Sequence, residues 1–253
     1  MDRQIDLIID QGNSRGKAAL FENGRLRERT AFKADAVAEL KRFLGSVKPA
    51  RIGMGSVGTL EKDLADYLKS IGPVKELRGD SPSPIHNGYA TAASLGVDRL
   101  ANAVAAWKMF PGRASLVIDA GTCITYDLVT KEGVHSGGAI SPGMMMRVKA
   151  MADYSARLPL VEMEGVPELL GSDTVGSIRS GVHHGIVYEM AGMIEQYGHQ
   201  YPGFAVILTG GDALRFTRAL KSGIFAHPYL TLAGLHALLV HDPDLHTAGV
   251  HRR

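Results

Sequence analysis

The sequence predicts an α/β protein built from two similar halves, and three observations carry that prediction. Strand-like and helix-like apolar spacings alternate along the chain. A strand that ends in an Asp–Gly turn occurs twice, as Ile9-Asp10-x-Gly12-Asn13 and as Ile118-Asp119-x-Gly121-Thr122. The same offset carries Gly24 onto Gly133, so strand, Asp–Gly turn, strand, Gly turn, strand is repeated as a unit. Two copies are too few for a solenoid. They suit a duplicated domain with a cleft between the copies, the first over residues 1–112 and the second over 113–253. Asp and Gly also favour turns on their own account, so coincidence is the alternative that these residues leave open.

Each element has a local reason. Residues 4–10 are a β-type apolar run, and 17–21 and 26–30 continue it. Asn23-Gly24 between them tolerates the positive φ of a hairpin turn. Residues 35–44 have helical spacing with Asp35 as N-cap. A strand at 51–56, a helix at 60–70 and a strand at 74–77 follow, then a Ser-Pro-Ser-Pro loop at 81–84. Residues 99–110 form an Ala-rich helix opened by Asp98, with Trp107 expected in its core face. The second half runs through strands at 116–119, 124–129 and 134–140, helices at 143–155 and 174–197, a strand at 204–209 and helices at 213–221 and 229–241. The run 137–143 is too rich in glycine for a plain strand, and His227-Pro228 reads as a turn.

Bulk composition narrows the function classes. At 253 residues the chain can bury a large core, and 45% apolar with 21% charged residues is ordinary globular usage. The 28 basic and 26 acidic residues leave a formal charge of +2, which gives no reason to expect nucleic acid or an anionic membrane as partner. Cys123 is the one cysteine, so no disulfide within the chain is possible. The first apolar run is short and interrupted by Asp6, unlike a secretory signal, and no stretch approaches the length of a membrane span. A cytoplasmic protein is expected.

Two strand-ending carboxylates beside small turns suit a nucleotide, because such turns present N–H groups and hydroxyls to phosphate oxygens. The first turn offers Gly12, Asn13, Ser14 and Gly16 with Lys17 as a cation; the second offers Gly121, Thr122 and Thr125. There is no GxxxxGK[ST] loop. Asp98 in Gly96-Val97-Asp98-Arg99 stands where a helix begins. An N-cap is one reading; a general base that takes a hydroxyl proton during phosphoryl transfer is the other. Arg99 beside it could bind a carboxylate or phosphate in bidentate fashion. Thr209-Gly210-Gly211-Asp212 lies between a strand and a helix, where paired glycines let backbone approach a flat ring or a sugar; an ordinary turn capped by Asp212 is the alternative.

In this order the motifs resemble those of type III pantothenate kinases, in the actin-like superfamily of acetate and sugar kinases. The resemblance rests on Asp10-x-Gly12-Asn13-Ser14-x-x-Lys17, Gly96-x-Asp98-Arg99, Ile118-Asp119-x-Gly121-Thr122-x-x-Thr125-x-Asp127, Gly137-Gly138-x-Ile140-x-Pro142-Gly143, Thr174 with Ser180-Gly181, and Thr209-Gly210-Gly211. It runs from about residue 5 to about residue 240. It implies ribonuclease-H-like halves and ATP-dependent phosphorylation of pantothenate at the start of coenzyme A synthesis. Asp98 would be the base. Tyr89, Gly96, Val97, Asp98, Arg99 and Thr174 would bind pantothenate, with Arg99 on its carboxylate side. Asp10, Gln11, Gly12, Asn13, Ser14, Arg15, Gly16, Lys17 and Thr122 would line the ATP phosphates. Asp119 would help hold a monovalent cation, K⁺ or NH₄⁺, with Mg²⁺ carried on ATP, and the protein would be a homodimer. A transcriptional accessory factor on the same fold, or a kinase for another small hydroxy acid, are the competing readings.

This chain departs from the family pattern at Ser14, where Thr is usual, and at Gln11, where an apolar residue is usual and the strand end is expected to be less buried. Ala92 stands where many members have Pro, and Cys123 where Ala is common, as filler or as a thiol reached from the cleft. His183-His184 point in different directions on a helix, unlike an i, i+4 metal pair. Met144-Met145-Met146 reads as adaptable packing or interface.

Overall fold

The computed structural model describes residues 4–12, 15–33, 35–56, 61–220 and 223–243. The expected site residues Asn13 and Ser14, and the first residue of the helix expected at 60–70, lie outside them. Two compact units result. One holds the described residues up to Met109, Gly133–Ser136 and those from Tyr229 onward; the other holds Phe110–Glu132 and Gly137–Pro228. These units differ from a single division at 112/113: 110–112 fall with the second, and Gly133–Ser136 and the described residues from Tyr229 onward with the first.

The first unit opens with β1 (Ile5–Gln11), β2 (Gly16–Glu22) and β3 (Arg25–Phe32), joined as an antiparallel meander. Asn23 and Gly24 take φ of 51° and 81°, the left-handed pair that the hairpin turn demands. Next come α1 (Ala36–Leu44), β4 (Arg51–Ser56), α2 (Lys62–Ile71) and β5 (Val74–Leu77). Asp35 caps α1 by accepting the Ala38 N–H at 2.9 Å. β4 is parallel to β1 and β5 to β4, giving the order β3-β2-β1-β4-β5. Leu7 and Ile9 on one face of β1 share a core with Leu40, Leu44, Leu64 and Leu68 from α1 and α2. A two-residue strand, β6 (His86–Asn87), and a 3₁₀ turn at Ala92–Ser94 precede α3 (Val97–Met109). Trp107, expected in the core, is half-buried and rests its indole on Gly133, where a Cβ would lie 3.1 Å from Nε1.

The second unit repeats the plan. β7 (Ser115–Ala120) pairs antiparallel with β8 (Cys123–Val129), and β9 (Val134–Pro142) follows after Gly133, whose φ of 79° matches that of Gly24. The sequence placed a strand at 134–140 but marked 137–143 as too glycine-rich for a plain one. Instead β9 runs through it to Pro142: Gly137 turns with φ 92°, and a side chain on Gly138 would collide with the Tyr126 carbonyl on β8. After α4 (Met144–Tyr154) and α5 (Thr174–Gln200), β10 (Ala205–Thr209) runs parallel to β7. α6 (Ala213–Thr217) is shorter than the expected 213–221, because the Thr217 hydroxyl bonds back to Ala213 O at 2.8 Å and the chain leaves in a turn. β11 (Ile224–Ala226), three residues long and too short for its spacing to register, lies parallel to β10. The order β9-β8-β7-β10-β11 is that of the first sheet, strand for strand, and β6 pairs with the first two residues of β9. Leu116, Ile118, Tyr126, Val148, Ile186, Met190, Leu208 and Phe216 form the second core.

Last comes α7 (Leu230–His241), apolar on every side. A helix of that kind must be buried all round, and its partners are α3, β1 and β4. Gly234 allows it to touch the backbone of Ala101 on α3. The Thr231 hydroxyl donates to Asn102 Oδ1 at 3.0 Å inside that contact. At its centre His236 Nε2 lies 3.0 Å from Asp6 Oδ2, with Arg51 donating to the same carboxylate at 2.9 and 2.6 Å. No helix among the described residues is long and apolar enough to cross a membrane.

Candidate active site

Each unit gathers one set of candidate residues at the carboxyl end of its first strand. In the first, Asp10 is paired in register with Lys17 on β2 and with Gly55 on β4. Lys17 Nζ stands 3.5 Å from Asp10 Oδ2. Burial pushes the Asp10 carboxyl above the usual carboxylate range, and Lys17 pulls against it. Gln11, expected to loosen the strand end, is half-buried, with its Oε1 enclosed and lacking a hydrogen-bond partner among the described residues. Gly12 closes the turn; a Cβ there would sit 3.3 Å from Arg15 O, and Arg15 itself is exposed. Gly16 is buried, and the Phe32 ring occupies the space its side chain would need, so packing alone accounts for this glycine.

Gly55 also connects this turn to α3. A Cβ on Gly55 would come within 3.2 Å of Val97 Cγ1, so the bare strand seats the first turn of α3 beside Asp10's register partner. Asp98 follows. It is the second residue of the helix rather than its N-cap, because α3 begins at Val97 and Gly96 O accepts from Arg99 N–H and Leu100 N–H. Asp98 Oδ1 accepts the Arg99 N–H at 2.9 Å, and a side chain on Gly96 would strike that oxygen. Gly96 thus reserves the place in which the carboxylate lies, at the positive end of a helix. Val97 is buried and can offer a ligand only its backbone. The Arg99 guanidinium, also buried, lies 5.4 Å from the Tyr89 ring, which stacks on His135 at 6.3 Å. The backbone of Tyr89 is fixed by Asn87, whose Oδ1 accepts its N–H at 3.0 Å. Tyr89, Gly96, Asp98 and Arg99 therefore form one cluster in the first unit; from Gly55 on β4, against which Val97 packs, Asp10 is one strand away and Lys17 two.

In the second unit Asp119 ends β7, and its register partner on β10 is Thr209. Gly210, with φ 97°, brings its backbone onto β7: a Cβ would lie 2.5 Å from Asp119 Oδ1, and one on Gly121 would lie 3.4 Å from the same oxygen. Two glycines thus cradle one carboxylate oxygen. Thr209 is 1% exposed, and its Oγ1 has no hydrogen-bond partner among the described residues. Thr122 is exposed and Cys123 half-buried at the start of β8. Thr174 is the exposed first residue of α5, behind an Asp173 cap that accepts from Gly176 N–H at 2.7 Å.

Three positions escaped sequence reasoning. Gly55 was readable as an isolated glycine inside a strand, a mark of close backbone approach. Thr209 and Gly210 belonged to a recognised motif but had been given no place beside Asp119, because register between β7 and β10 is a long-range property.

The family model for type III pantothenate kinases matches residues 6–196. The chain belongs to the type III pantothenate kinase family. Within it, the type III pantothenate kinase of Bacteroides fragilis is 43% identical over 236 residues, covering 93% of this chain and 97% of the relative. That of Phocaeicola vulgatus is 41% identical over 244 residues, covering 95% of this chain and 100% of the relative. Two solved structures extend the likeness in fold. One, described as a Baf family transcriptional activator from Campylobacter jejuni, has a TM-score of 0.59 at 22% identity and covers 94% of this chain and 99% of its own. The other, the activator of the 2-hydroxyisocaproyl-CoA dehydratase from Clostridium difficile with bound ADPNP, has a TM-score of 0.56 at 11% identity and covers 100% and 99%. Each unit of this pantothenate kinase family member has the ribonuclease-H-like order, as the sequence resemblance implied.

Proposed function

We propose that this protein transfers the γ-phosphoryl group of ATP to the primary hydroxyl of pantothenate, giving 4′-phosphopantothenate and ADP at the start of coenzyme A synthesis. Beyond family membership, the observation that supports this reading is the seat of Val97, the residue before Asp98, against Gly55, Asp10's register partner on β4. Asp98 takes the hydroxyl proton as the phosphoryl group is transferred. Arg99 receives the pantothenate carboxylate, and Tyr89, which both Arg99 and His135 approach, walls the acceptor. Thr174 is assigned to the same substrate by its place in the family motif. The turn from Asp10 to Lys17 and Thr122 hold the ATP phosphates, with Asp10 near the Mg²⁺ that ATP brings. In phosphoryl transfer such groups act by positioning and charge stabilisation.

The residues around Asp119 suit a monovalent cation. Its Oδ1 sits in a cradle that a Cβ on Gly210 would fill, and the buried Thr209 hydroxyl adds an oxygen from the adjacent strand. All-oxygen donors of this kind fit a hard cation. Bound there, the cation would supply fixed positive charge. The protein is further proposed to work as a cytoplasmic homodimer, with no nucleic acid or membrane partner.

The test is ADP release from ATP, Mg²⁺ and pantothenate in potassium, ammonium and sodium buffers, with Asp98→Asn alongside. Turnover that requires pantothenate and falls at least about 100-fold in the variant supports the assignment. Turnover unchanged in Asp98→Asn removes the base, and no pantothenate-dependent turnover in any salt sinks the kinase reading in favour of another acceptor or a regulator.

A further inference from the structure

Glu189 on α5 gathers three hydrogen bonds from three different elements. The Tyr126 hydroxyl on β8 donates to its Oε1 at 2.8 Å, and the Ser141 hydroxyl on β9 to the same oxygen at 2.5 Å. Arg147 Nη2 on α4 donates to Oε2. Arg147 in turn donates through Nε to Pro142 O at 2.8 Å. Burial works against the charge on Glu189, but its three donors outweigh burial and hold the carboxyl below the usual range. Burial, followed by Glu189 itself, pushes the Tyr126 hydroxyl far upward, so it stays a donor. The cluster is a carboxylate–guanidinium pair with its remaining lone pairs satisfied, the arrangement in which such pairs are strong.

The far end of this chain of contacts is the second phosphate turn. Gly143 follows Pro142, and its N–H donates to Thr122 O at 3.1 Å. A side chain on Gly143 would collide with the carbonyl oxygens of both Gly121 and Thr122. Gly143 O in turn accepts the Arg147 N–H at 3.0 Å, which begins α4. The turn Gly121-Thr122 is therefore backed by the Pro142–Gly143 segment, and that segment is tied from behind by Arg147 and Ser141, both anchored on Glu189.

We propose that Glu189 and Arg147 are positioning residues for the Gly121–Thr122 turn, fixing it for a bound nucleotide through Ser141, Pro142 and Gly143 without touching the nucleotide. This rests on the assignment of that turn to ATP. Glu189→Gln is the informative variant. An amide keeps Oε1 as acceptor for Tyr126 and Ser141, but it turns an N–H₂ group toward Arg147, donor against donor, and cuts only the Arg147 link. The expected result is a KM for ATP raised about tenfold, the scale of one lost charge-assisted hydrogen bond, with KM for pantothenate unchanged. Arg147→Met, which also removes the Nε bond to Pro142 O, should do at least as much, and the double variant should be no worse than Arg147→Met alone, since the link to Glu189 is already gone in it. Hydrogen exchange of the uncomplexed protein gives a readout independent of turnover: amides of 121–123 and 143–147 should exchange faster in Glu189→Gln, and those of β10 should not. Equal losses in both KM values, additive single effects, or unchanged exchange at 121–123 would each overturn the proposal. If the wild-type protein shows no pantothenate-dependent turnover, the kinase reading fails by itself, and the exchange experiment still decides the positioning role.

Discussion

A single methyl group placed on Gly96 would fall 2.4 Å from Asp98 Oδ1, a residue-scale constraint on the carboxylate proposed as the base. Gly96→Ala should push that carboxylate out of its place over the helix end while leaving the cores intact. Displacements of about 1 Å at a reacting group can cost roughly 100-fold in rate. The expected outcome is a loss in kcat of that order with little change in the midpoint of thermal unfolding, and a retained kcat would show that the position of the Asp98 carboxylate does not matter. The Asp10–Lys17 pair gives a second expectation. Burial raises the Asp10 pKa and Lys17 restrains the rise. Lys17→Met removes the restraint, so the carboxyl holds its proton to higher pH. If ATP binding needs Asp10 ionised, the acid limb of kcat/KM for ATP must move upward in pH in the variant; a limb that stays put would detach Asp10 from binding.

Among elements, α7 decides most, because it ties the end of the chain to the opening strands. Gly234→Val would drive a branched side chain into the Ala101 backbone and lift α7 from α3, the helix that carries Asp98. Overpacking of this kind costs about 1–3 kcal/mol, to be measured by denaturant unfolding, and activity should fall with stability. The Asp6–His236–Arg51 contact beneath α7 adds a pH signature. Burial opposes ionisation of Asp6, but the bonds from His236 and Arg51 overcome it and bring its pKa down to about 2. A depressed carboxyl stabilises above its unfolded pKa and loses that contribution as pH falls through the folded one. Asp6 should therefore contribute roughly 2 kcal/mol above pH about 4, fading toward pH about 2. Unfolding free energies in that window should fall less steeply for Asp6→Asn than for wild type.

These elements also show what a sequence can and cannot disclose. The two Asp–Gly turns, the paired glycines 24 and 133 and the Asp35 cap were legible because each is settled within a few residues by backbone sterics. Of the two readings of Asp98, the N-cap does not hold, because one helical residue, Val97, precedes it, and helix ends are local to within a residue or two only. The destination of α7 was hidden, since an apolar helix advertises burial but not its partner. The same holds for Thr209 beside Asp119, and for Glu189, whose three donors are scattered over 126–147 and meet only in the fold.

For the whole molecule, the second unit poses the remaining question. It leaves Ile140, Tyr154, Leu160, Leu170 and Tyr188 between 60% and 93% exposed, with Met145 and Met146 each 39% exposed. Exposed apolar side chains of this size are the kind that a subunit interface covers. The proposed homodimer would cover part of this surface, and Ile140 and Tyr188 flank Ser141 and Glu189 in the chain, which would put the positioning cluster near the subunit boundary. Sedimentation equilibrium should find twice the 27.1 kDa chain mass. Ile140→Asp with Tyr188→Asp should give a monomer at micromolar concentration. If the dimer completes the site, that monomer should lose pantothenate turnover while keeping its circular dichroism spectrum. A fully active monomer would place all the chemistry within one chain and reduce the association to stability alone.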